Sequence, residues 1–226
     1  MAEALNLVFD LDGTLIDSAP QIHAAANAVF TARSLPGFAL ATVLGFIGNG
    51  LGVLVGRLLA HQGLEAEGPL HRDLVADFMR IYEQAFDLTS LYPGAAEALQ
   101  DLAAAGHHLA ICTNKPEAPA RAILHHFGLA ELFPVVIGGD TLPLRKPDPA
   151  PLHAAIAALG PARTLFIGDS EVDAETARAA DVPLALFSGG YRKAAPEEMG
   201  TELVFDHHAA LPRLVAQLQG RRPGKG

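Results

Sequence analysis

Short apolar runs alternate with amphipathic stretches along most of this chain. The first run, Leu5–Phe9 (LNLVF), has the uninterrupted hydrophobicity of a strand that is buried on both faces. Further runs predict strands at His108–Cys112, Val135–Ile137, Thr164–Ile167, Leu184–Phe187 and Leu203–Phe205. The intervening stretches predict helices at Ala95–Ala105, Pro119–Phe127, Pro151–Leu159 and Ala174–Ala180, and a last helix that ends near Leu218. Alternating helices and strands indicate an α/β fold with a doubly wound, Rossmann-like parallel sheet.

Between the first strand and residue 90 the pattern predicts helices only. A helix should begin at Ser18, whose side chain can cap it, and should end at Pro36-Gly37. Two apolar faces follow, one made of Leu51, Leu54, Leu58 and Leu59, the other of Leu74, Phe78, Ile81 and Ala85. We therefore expect a core domain of residues 1–17 and 90–220, an inserted helical cap domain of residues 18–89, and a disordered tail of residues 221–226.

The composition narrows the possible classes of protein. The formal net charge is −9, from 16 basic and 25 acidic residues, which disfavours a nucleic-acid partner. The single cysteine, Cys112, rules out an intrachain disulfide and fits a reducing compartment. The N-terminus lacks the features of a signal peptide, and the uncharged stretch 35–56 is interrupted by proline, asparagine and glycines. We therefore expect a cytoplasmic protein without a membrane segment, either a monomer or a homodimer.

Clusters of polar residues follow the predicted strands, where open parallel sheets bind their ligands. The clusters are DLDGT at 10–14, TNK at 113–115, RKPDP at 145–149 and GDSEVD at 168–173. Asp10 and Asp12 are two residues apart, so in an extended segment their side chains point to the same side. With Asp169 they would form a group of three carboxylates, which must protonate or share a cation. Oxygen ligands of this kind suit Mg²⁺.

A phosphoryl group suits this set of residues. It would meet the cation, Lys146 and Thr113, and its transfer depends mainly on positioning and charge stabilisation. One aspartate of the first cluster would attack phosphorus and form an aspartyl-phosphate, while the other would handle the proton of the leaving oxygen. The residues alone leave open which aspartate has which role.

The four clusters, in this order, resemble the motifs of the haloacid dehalogenase superfamily of phosphatases. The resemblance covers nearly the whole chain, including the helical cap after the first strand. It implies that Asp10 is the nucleophile, and that Asp12 is first the general acid and then the base that activates water. It also implies that Thr113, Asn114 and Lys146 hold the phosphoryl group.

The same resemblance implies a Mg²⁺ site. The ion would be bound by the Asp10 side chain, the Asp12 backbone carbonyl and Asp169. Asp173 would support the site from just outside or through water. The alternative for Asp173 is that it only caps the helix that follows.

Within the superfamily, the chain most resembles phosphoglycolate phosphatases. The similar stretches are DLDGTLIDSAPQI at 10–22, CTNKPEAPAR at 112–121 and GGDTLPLRKPDPAPL at 138–152. This branch implies Mg²⁺-dependent hydrolysis of 2-phosphoglycolate, a small phosphorylated metabolite. The stretch GFIGNG at 45–50 resembles a substrate-facing loop, so we expect Gly48, Asn49 and Gly50 to face the substrate. Lys115 either contacts the substrate as well or points to solvent.

The sequence leaves several other functions open. A phosphatase for another small ester or for pyrophosphate, a sugar phosphomutase and a non-catalytic phosphate-binding protein all fit the same fold. A dehalogenase is disfavoured because that branch lacks an aspartate at the position of Asp12. A phosphonoacetaldehyde hydrolase needs a cap lysine, and residues 18–89 contain none. We expect the cap to close over the substrate, with hinges near Asp17–Ser18 and Thr89–Pro93.

Overall fold

The structure, a computed structural model, describes residues 3–82, 86–201 and 203–220. Its strands are β1 (Leu5–Phe9), β2 (Ile16–Asp17), β3 (Ser90–Leu91), β4 (His108–Cys112), β5 (Val135–Ile137), β6 (Arg163–Gly168), β7 (Leu184–Phe187) and β8 (Leu203–Phe205). Its helices are α1 (Ala19–Thr31), α2 (Leu40–Leu44), α3 (Leu51–His61), α4 (Pro69–Tyr82), α5 (Ala95–Ala104), α6 (Glu117–His126), α7 (Ala150–Leu159), α8 (Glu171–Ala179) and α9 (Leu211–Gly220).

Six strands form one parallel sheet in the order β5-β4-β1-β6-β7-β8. The side chains of the central strand β1 alternate between two hydrophobic clusters. Leu7 and Phe9 pack with residues of α5, α6 and α9 on one face, whereas Val8 packs with residues of α7 and α8 on the other. The prediction of a doubly wound α/β sheet is therefore confirmed. Because the chain order reverses around β1, a crevice opens at the carboxyl ends of β4, β1 and β6.

The predicted strands of this sheet agree with the structure to within one residue at each end, but two helices begin at least two residues earlier than predicted. α8 begins at Glu171 instead of Ala174, because Ser170 and Asp173 form a capping box at its first turn. α6 begins at Glu117 instead of Pro119. Pro119 lies within the first turn, where a proline removes no helical hydrogen bond.

Helices α1 to α4 share a separate hydrophobic cluster. Every buried residue of this cluster lies between positions 22 and 82, and the largest buried side chains include Phe30 and Phe78. The predicted helical position of Ala85 lies outside the described residues, as does the predicted tail at 221–226. Within the described ranges, no helix has both the length and the hydropathy that crossing a membrane requires.

Two short strands join this helical segment to the sheet. In the antiparallel pair of β2 and β3, Ile16 pairs with Leu91 and Asp17 with Ser90. The sequence pattern did not predict this pair, because two residues are too few to show an alternation. One strand of the pair lies at the predicted hinge near Asp17–Ser18, and the other lies at the predicted hinge near Thr89–Pro93.

The predicted start of α1 agrees with the structure, in which Ser18 is the N-cap residue, but the predicted cap and the predicted end are wrong. The Ser18 side chain accepts no hydrogen bond from the helix, because its backbone has φ −103° and ψ −2° and not the extended conformation of a capping residue. Its hydroxyl donates a hydrogen bond of 2.6 Å to Asp12 Oδ1. The helix also ends at Thr31, ahead of Pro36-Gly37, and the chain turns at Ser34, whose φ is +57°.

Candidate active site

The carboxyl ends of three neighbouring strands hold the predicted site residues. Asp10 follows β1, Thr113 follows β4 and Asp169 follows β6, and all three are buried. The backbone N–H of Asp10 donates to the Ile167 carbonyl at 2.8 Å, so the pairing of β1 with β6 extends into the site. The register of the sheet thus brings together residues that are far apart in sequence.

Three carboxylates meet at this edge of the sheet. Oxygen atoms of Asp10, Asp169 and Asp173 lie within 4.8 Å of one another. Burial, together with the charges of Asp173 and Asp10, raises the pKa of Asp169 well above its usual range. Burial also raises the pKa of Asp10 to about 6, although the ammonium of Lys146 opposes that rise. Buried carboxylates with this much mutual repulsion fit a divalent cation, which would stabilise their ionised forms.

Lys146 lies between two of these acids. Its Nζ is 3.0 Å from Asp10 Oδ1 and donates a hydrogen bond of 2.6 Å to Asp173 Oδ1. Burial alone would lower the pKa of Lys146, but the two carboxylates raise it above its ordinary value. The site therefore contains a buried ammonium that stays charged beside the predicted nucleophile.

Asp173 contacts both the helix that follows it and Lys146, whereas its support of a metal site stays a prediction. Its Oδ2 accepts hydrogen bonds from the Ser170 hydroxyl at 2.6 Å, the Ser170 N–H at 3.1 Å and the Asp169 N–H at 3.2 Å. It therefore caps the first turn of α8. Its Oδ1 holds Lys146, and it belongs to the cluster of three acids.

The carboxylate of Asp12 lies outside that cluster. Its Oδ1 accepts hydrogen bonds from the Ser18 hydroxyl at 2.6 Å and from Lys115 Nζ at 3.1 Å. Both partners fix its orientation without involving the three clustered acids. A contribution of the Asp12 backbone carbonyl to a metal site stays a prediction.

Lys115 does not point to solvent, which was one of the two alternatives for it. It is 6% exposed and pairs with Asp12, and its ammonium contacts the Tyr82 hydroxyl of α4. The same ammonium lies 3.8 Å from the centroid of the Tyr82 ring. Burial lowers the pKa of Lys115, and Asp12 opposes that shift. Lys115 thus joins the sheet side of the site to a helix of the predicted cap.

Thr113 and Asn114 are both buried beside Asp10. The Thr113 hydroxyl accepts a hydrogen bond from the Lys115 N–H at 3.2 Å. Asn114 Nδ2 donates to the Gly48 carbonyl at 3.0 Å and to the Lys146 carbonyl at 2.9 Å. The side-chain amide of Asn114 therefore connects the loop that contains Gly48 to the loop that contains Lys146.

The predicted substrate-facing loop reaches the site. Gly48 and Gly50 have φ values of +118° and +87°, which favour glycine. A Cβ on Gly50 would lie only 3.1 Å from the Asn114 carbonyl oxygen, so the backbone approaches closely there. Gly48 and Gly50 line one cavity at Asp10, and Gly48 and Asn49 line a second.

The two cavities differ in size and lining. The smaller one, of about 50 Å³, is walled by Asp10, Asp12 and Lys115 on the sheet side and by the apolar side chains of Leu54 and Phe78 on the other side. The larger cleft, of about 530 Å³, is lined by Asp10, Asp169, Arg57, Lys193 and Tyr191, among others. A short organic group fits the first cavity, whereas the second opens beside the acidic cluster.

The sequence did not predict the contacts that four further residues make at the site. The Thr14 hydroxyl and the Tyr191 N–H donate to Asp169 at 2.7 and 2.6 Å, Ser18 holds Asp12, and Tyr82 contacts Lys115. Thr14 lies in the DLDGT cluster, but no pattern around Tyr191 or Tyr82 marks either residue. Their contacts depend on how distant segments fold together.

Comparison with known proteins agrees with this geometry. The family model for haloacid dehalogenase-like hydrolases matches residues 6–181. The chain belongs to the haloacid dehalogenase-like hydrolases. The matched range runs from β1 to the end of α8 and includes every predicted site residue. Phosphatases of this family use a divalent metal, and the cluster of three acids is placed to bind one.

The named relatives cover almost the whole chain. The phosphoglycolate phosphatase of Cereibacter sphaeroides (strain ATCC 17025 / ATH 2.4.3) is 50% identical over 213 residues, which cover 94% of this chain and 98% of that protein. The crystal structure of a predicted phosphoglycolate phosphatase from Haemophilus somnus 129pt is 31% identical, with a TM-score of 0.88 and coverage of 95% and 99%. CbbY from Rhodobacter sphaeroides, solved in complex with phosphate, is 26% identical, with a TM-score of 0.76 and coverage of 93% and 96%.

Proposed function

We propose that this chain hydrolyses 2-phosphoglycolate to glycolate and phosphate, with Mg²⁺ and through an aspartyl-phosphate on Asp10. The observation that carries the proposal is the small cavity at Asp10, because its volume suits a short organic group beyond the phosphoryl position. Among its lining residues, all of which the structure describes, Lys115 is the one cation and suits a substrate carboxylate. The 50% identity to a phosphoglycolate phosphatase supports the same substrate.

The reaction takes two displacements at phosphorus. A carboxylate oxygen of Asp10 attacks phosphorus, the bond from phosphorus to the glycolate oxygen breaks, and protonated Asp12 gives its proton to that oxygen. Asp12 then takes a proton from water, the resulting hydroxide attacks phosphorus, and the bond from phosphorus to Asp10 breaks. The contacts of Ser18 and Lys115 with Asp12 support this assignment, because they fix the orientation of the proton donor.

Lys146 and Thr113 stabilise the phosphoryl group during both displacements. The buried ammonium of Lys146 lies 3.0 Å from Asp10 Oδ1, where it offsets the negative charge of the reacting oxygens. The Thr113 hydroxyl provides a further hydrogen bond. Direct phosphate binding by Asn114 stays a prediction, since both hydrogens of its amide already donate to carbonyls.

The side chains of Asp10 and Asp169 and the Asp12 backbone carbonyl would hold Mg²⁺. All of these donors are hard oxygens, which Mg²⁺ prefers. When bound, the ion neutralises negative charge on the transferring phosphoryl group. Asp173 supports the site indirectly, because its own oxygens are engaged by Lys146 and Ser170.

We also propose that residues 18–89 form a cap domain on a core domain of residues 1–17 and 90–220. The separate hydrophobic cluster of residues 22–82 supports this division. Closure of the cap would exclude water from the small cavity. The cytoplasmic location, and the choice between monomer and homodimer, stay predictions.

The test compares 2-phosphoglycolate with ethyl phosphate, which is similar in size and lacks the carboxylate. We expect wild-type kcat/KM to favour 2-phosphoglycolate, and Lys115→Met to reduce that preference by about 10- to 100-fold. Lys193→Met is the matched control, because Lys193 lines the larger cleft and not the small cavity. Its preference should stay within about threefold of wild type. A preference lost in Lys193→Met and kept in Lys115→Met would contradict the proposed substrate position.

A further inference from the structure

Tyr191 is hydrogen-bonded at both of its ends to different parts of the site. Its backbone N–H donates to Asp169 Oδ2 at 2.6 Å, next to the proposed metal. Its phenol oxygen accepts from the backbone N–H groups of Ser18 and Ala19 at 2.8 and 2.9 Å, and its hydroxyl donates to Asp17 Oδ1 at 2.9 Å. One residue of the core therefore links the acidic cluster to the point where the cap begins.

The contact with Ser18 and Ala19 replaces a helix cap. The first N–H groups of a helix have no partner inside it and need an acceptor from elsewhere. The Ser18 side chain accepts no such hydrogen bond, and Asp17 Oδ1 accepts from the Ala19 N–H at 3.3 Å only. The phenol oxygen of Tyr191 takes over part of that role at α1.

The ring of Tyr191 is fixed by its packing. A Cβ on Gly13 would lie 2.8 Å from Cδ2 of the Tyr191 ring and 2.5 Å from Asp169 Oδ2. The ring thus packs directly on the loop between Asp12 and Thr14. A change in the position of α1 must therefore move the ring, break its hydrogen bonds, or displace that loop.

We infer that Tyr191 is a positioning residue that couples the hinge of the cap to the alignment of the catalytic loop. The inference rests on the proposed function for its kinetic part only. Its phenol holds the start of α1 in the conformation in which Ser18 orients Asp12. Its backbone N–H separately holds Asp169, so removing the phenol oxygen should disturb the hinge and leave the metal site in place.

Tyr191→Phe removes the hydroxyl and keeps the ring and the backbone N–H. We expect hydrogen exchange to accelerate at least about tenfold at the Ser18 amide and by less at the Ala19 amide, which keeps Asp17 Oδ1 as an acceptor, with the amides of β4 unchanged. We expect kcat to fall about tenfold, while the Mg²⁺ concentration for half-maximal activity shifts by less than about threefold. Asp17→Asn keeps an oxygen acceptor for the phenol, so its kcat should stay within about threefold of wild type.

Three results would overturn the inference. These are unchanged exchange at Ser18 and Ala19, faster exchange with unchanged kcat, and a Mg²⁺ requirement that rises as much as kcat falls. The kinetic assays use whichever phosphate ester the wild type hydrolyses fastest. If the wild type hydrolyses another ester faster than 2-phosphoglycolate, the proposed substrate is refuted. The hydrogen-exchange data would still decide the role of Tyr191.

Discussion

The carboxylate of Asp10 is buried beside one lysine and two other acids. Asp10→Asn removes the proposed nucleophile, so we expect kcat for phosphate release to fall at least about 10³-fold. It also relieves repulsion in the acidic cluster, and Lys146 keeps Asp173 as a partner. The free energy of unfolding, measured in urea, should therefore stay within about 1 kcal/mol of wild type.

The control for this variant is Asp101→Asn, at an exposed position on α5. It makes the same chemical change outside the site and should keep wild-type activity. Phosphate release by Asp10→Asn at the rate of Asp101→Asn would refute the assignment of the nucleophile.

The buried side chain of His208 should make the free energy of unfolding depend on pH. It is 1% exposed, its Nε2 donates to the Thr14 carbonyl at 2.8 Å, and it packs against the ring of Phe187. Burial lowers its pKa from 6.5 to about 4. Between these values the unfolded chain binds the proton and the folded chain does not, so this residue makes the fold less stable as the pH falls from 6.5 towards 4.

His208→Gln removes that titration and can still donate to Thr14. Between pH 7.5 and pH 5 the wild type should lose about 2 kcal/mol more unfolding free energy than the variant. Urea unfolding of both proteins at the two pH values measures the difference. Equal losses in both would show that His208 is protonated in the folded protein.

At the residue scale, the sequence predicted the polar groups that meet at the candidate site and missed many of their partners. Asp10, Asp169 and Lys146 were predictable because each lies in a short motif directly after a strand or on an adjoining loop. Ser18 was predicted to cap a helix, but its hydroxyl binds Asp12 instead. Whether a hydroxyl accepts from a helix N–H or donates to a distant carboxylate depends on tertiary distances that a local pattern does not contain.

At the element scale, α8 carries part of the site in its first turn. The Ser170 hydroxyl donates to Asp173 Oδ2, and Ser170 Oγ accepts from the Asp173 N–H at 3.4 Å. Ser170→Ala should lower the free energy of unfolding by about 1 kcal/mol. Ser170→Thr keeps the hydroxyl and should restore most of that stability in the same urea measurement. Equal stability of the Ala variant and the wild type would show that the capping box contributes nothing.

Element predictions succeeded where the pattern was long or continuous. The buried strands β1 and β4 have the predicted bounds, because their apolar runs end directly at polar motifs. The pair of β2 and β3 was missed, because each strand has two residues and the pairing partner is more than seventy residues away. Helix starts were less accurate, since capping depends on side-chain hydrogen bonds that the apolar period does not reveal.

At the scale of the whole molecule, the small cavity at Asp10 is built from parts that are distant in sequence. The small cavity has one wall from the sheet and one from α1, α3 and α4. The motifs predicted the first wall, and the second depends on how the predicted cap packs on the core. The sequence could therefore predict phosphoryl chemistry from local motifs, whereas the space left for the rest of the substrate required the structure.

The central claim is Mg²⁺-dependent hydrolysis of 2-phosphoglycolate, and a phosphate-release panel tests it most directly. The wild-type protein is assayed with Mg²⁺ and with EDTA on 2-phosphoglycolate, ethyl phosphate, sugar phosphates, nucleotides and pyrophosphate. We predict release that needs Mg²⁺ and a kcat/KM for 2-phosphoglycolate at least about tenfold above every other compound. Release led by another compound, or undiminished in EDTA, would contradict the account.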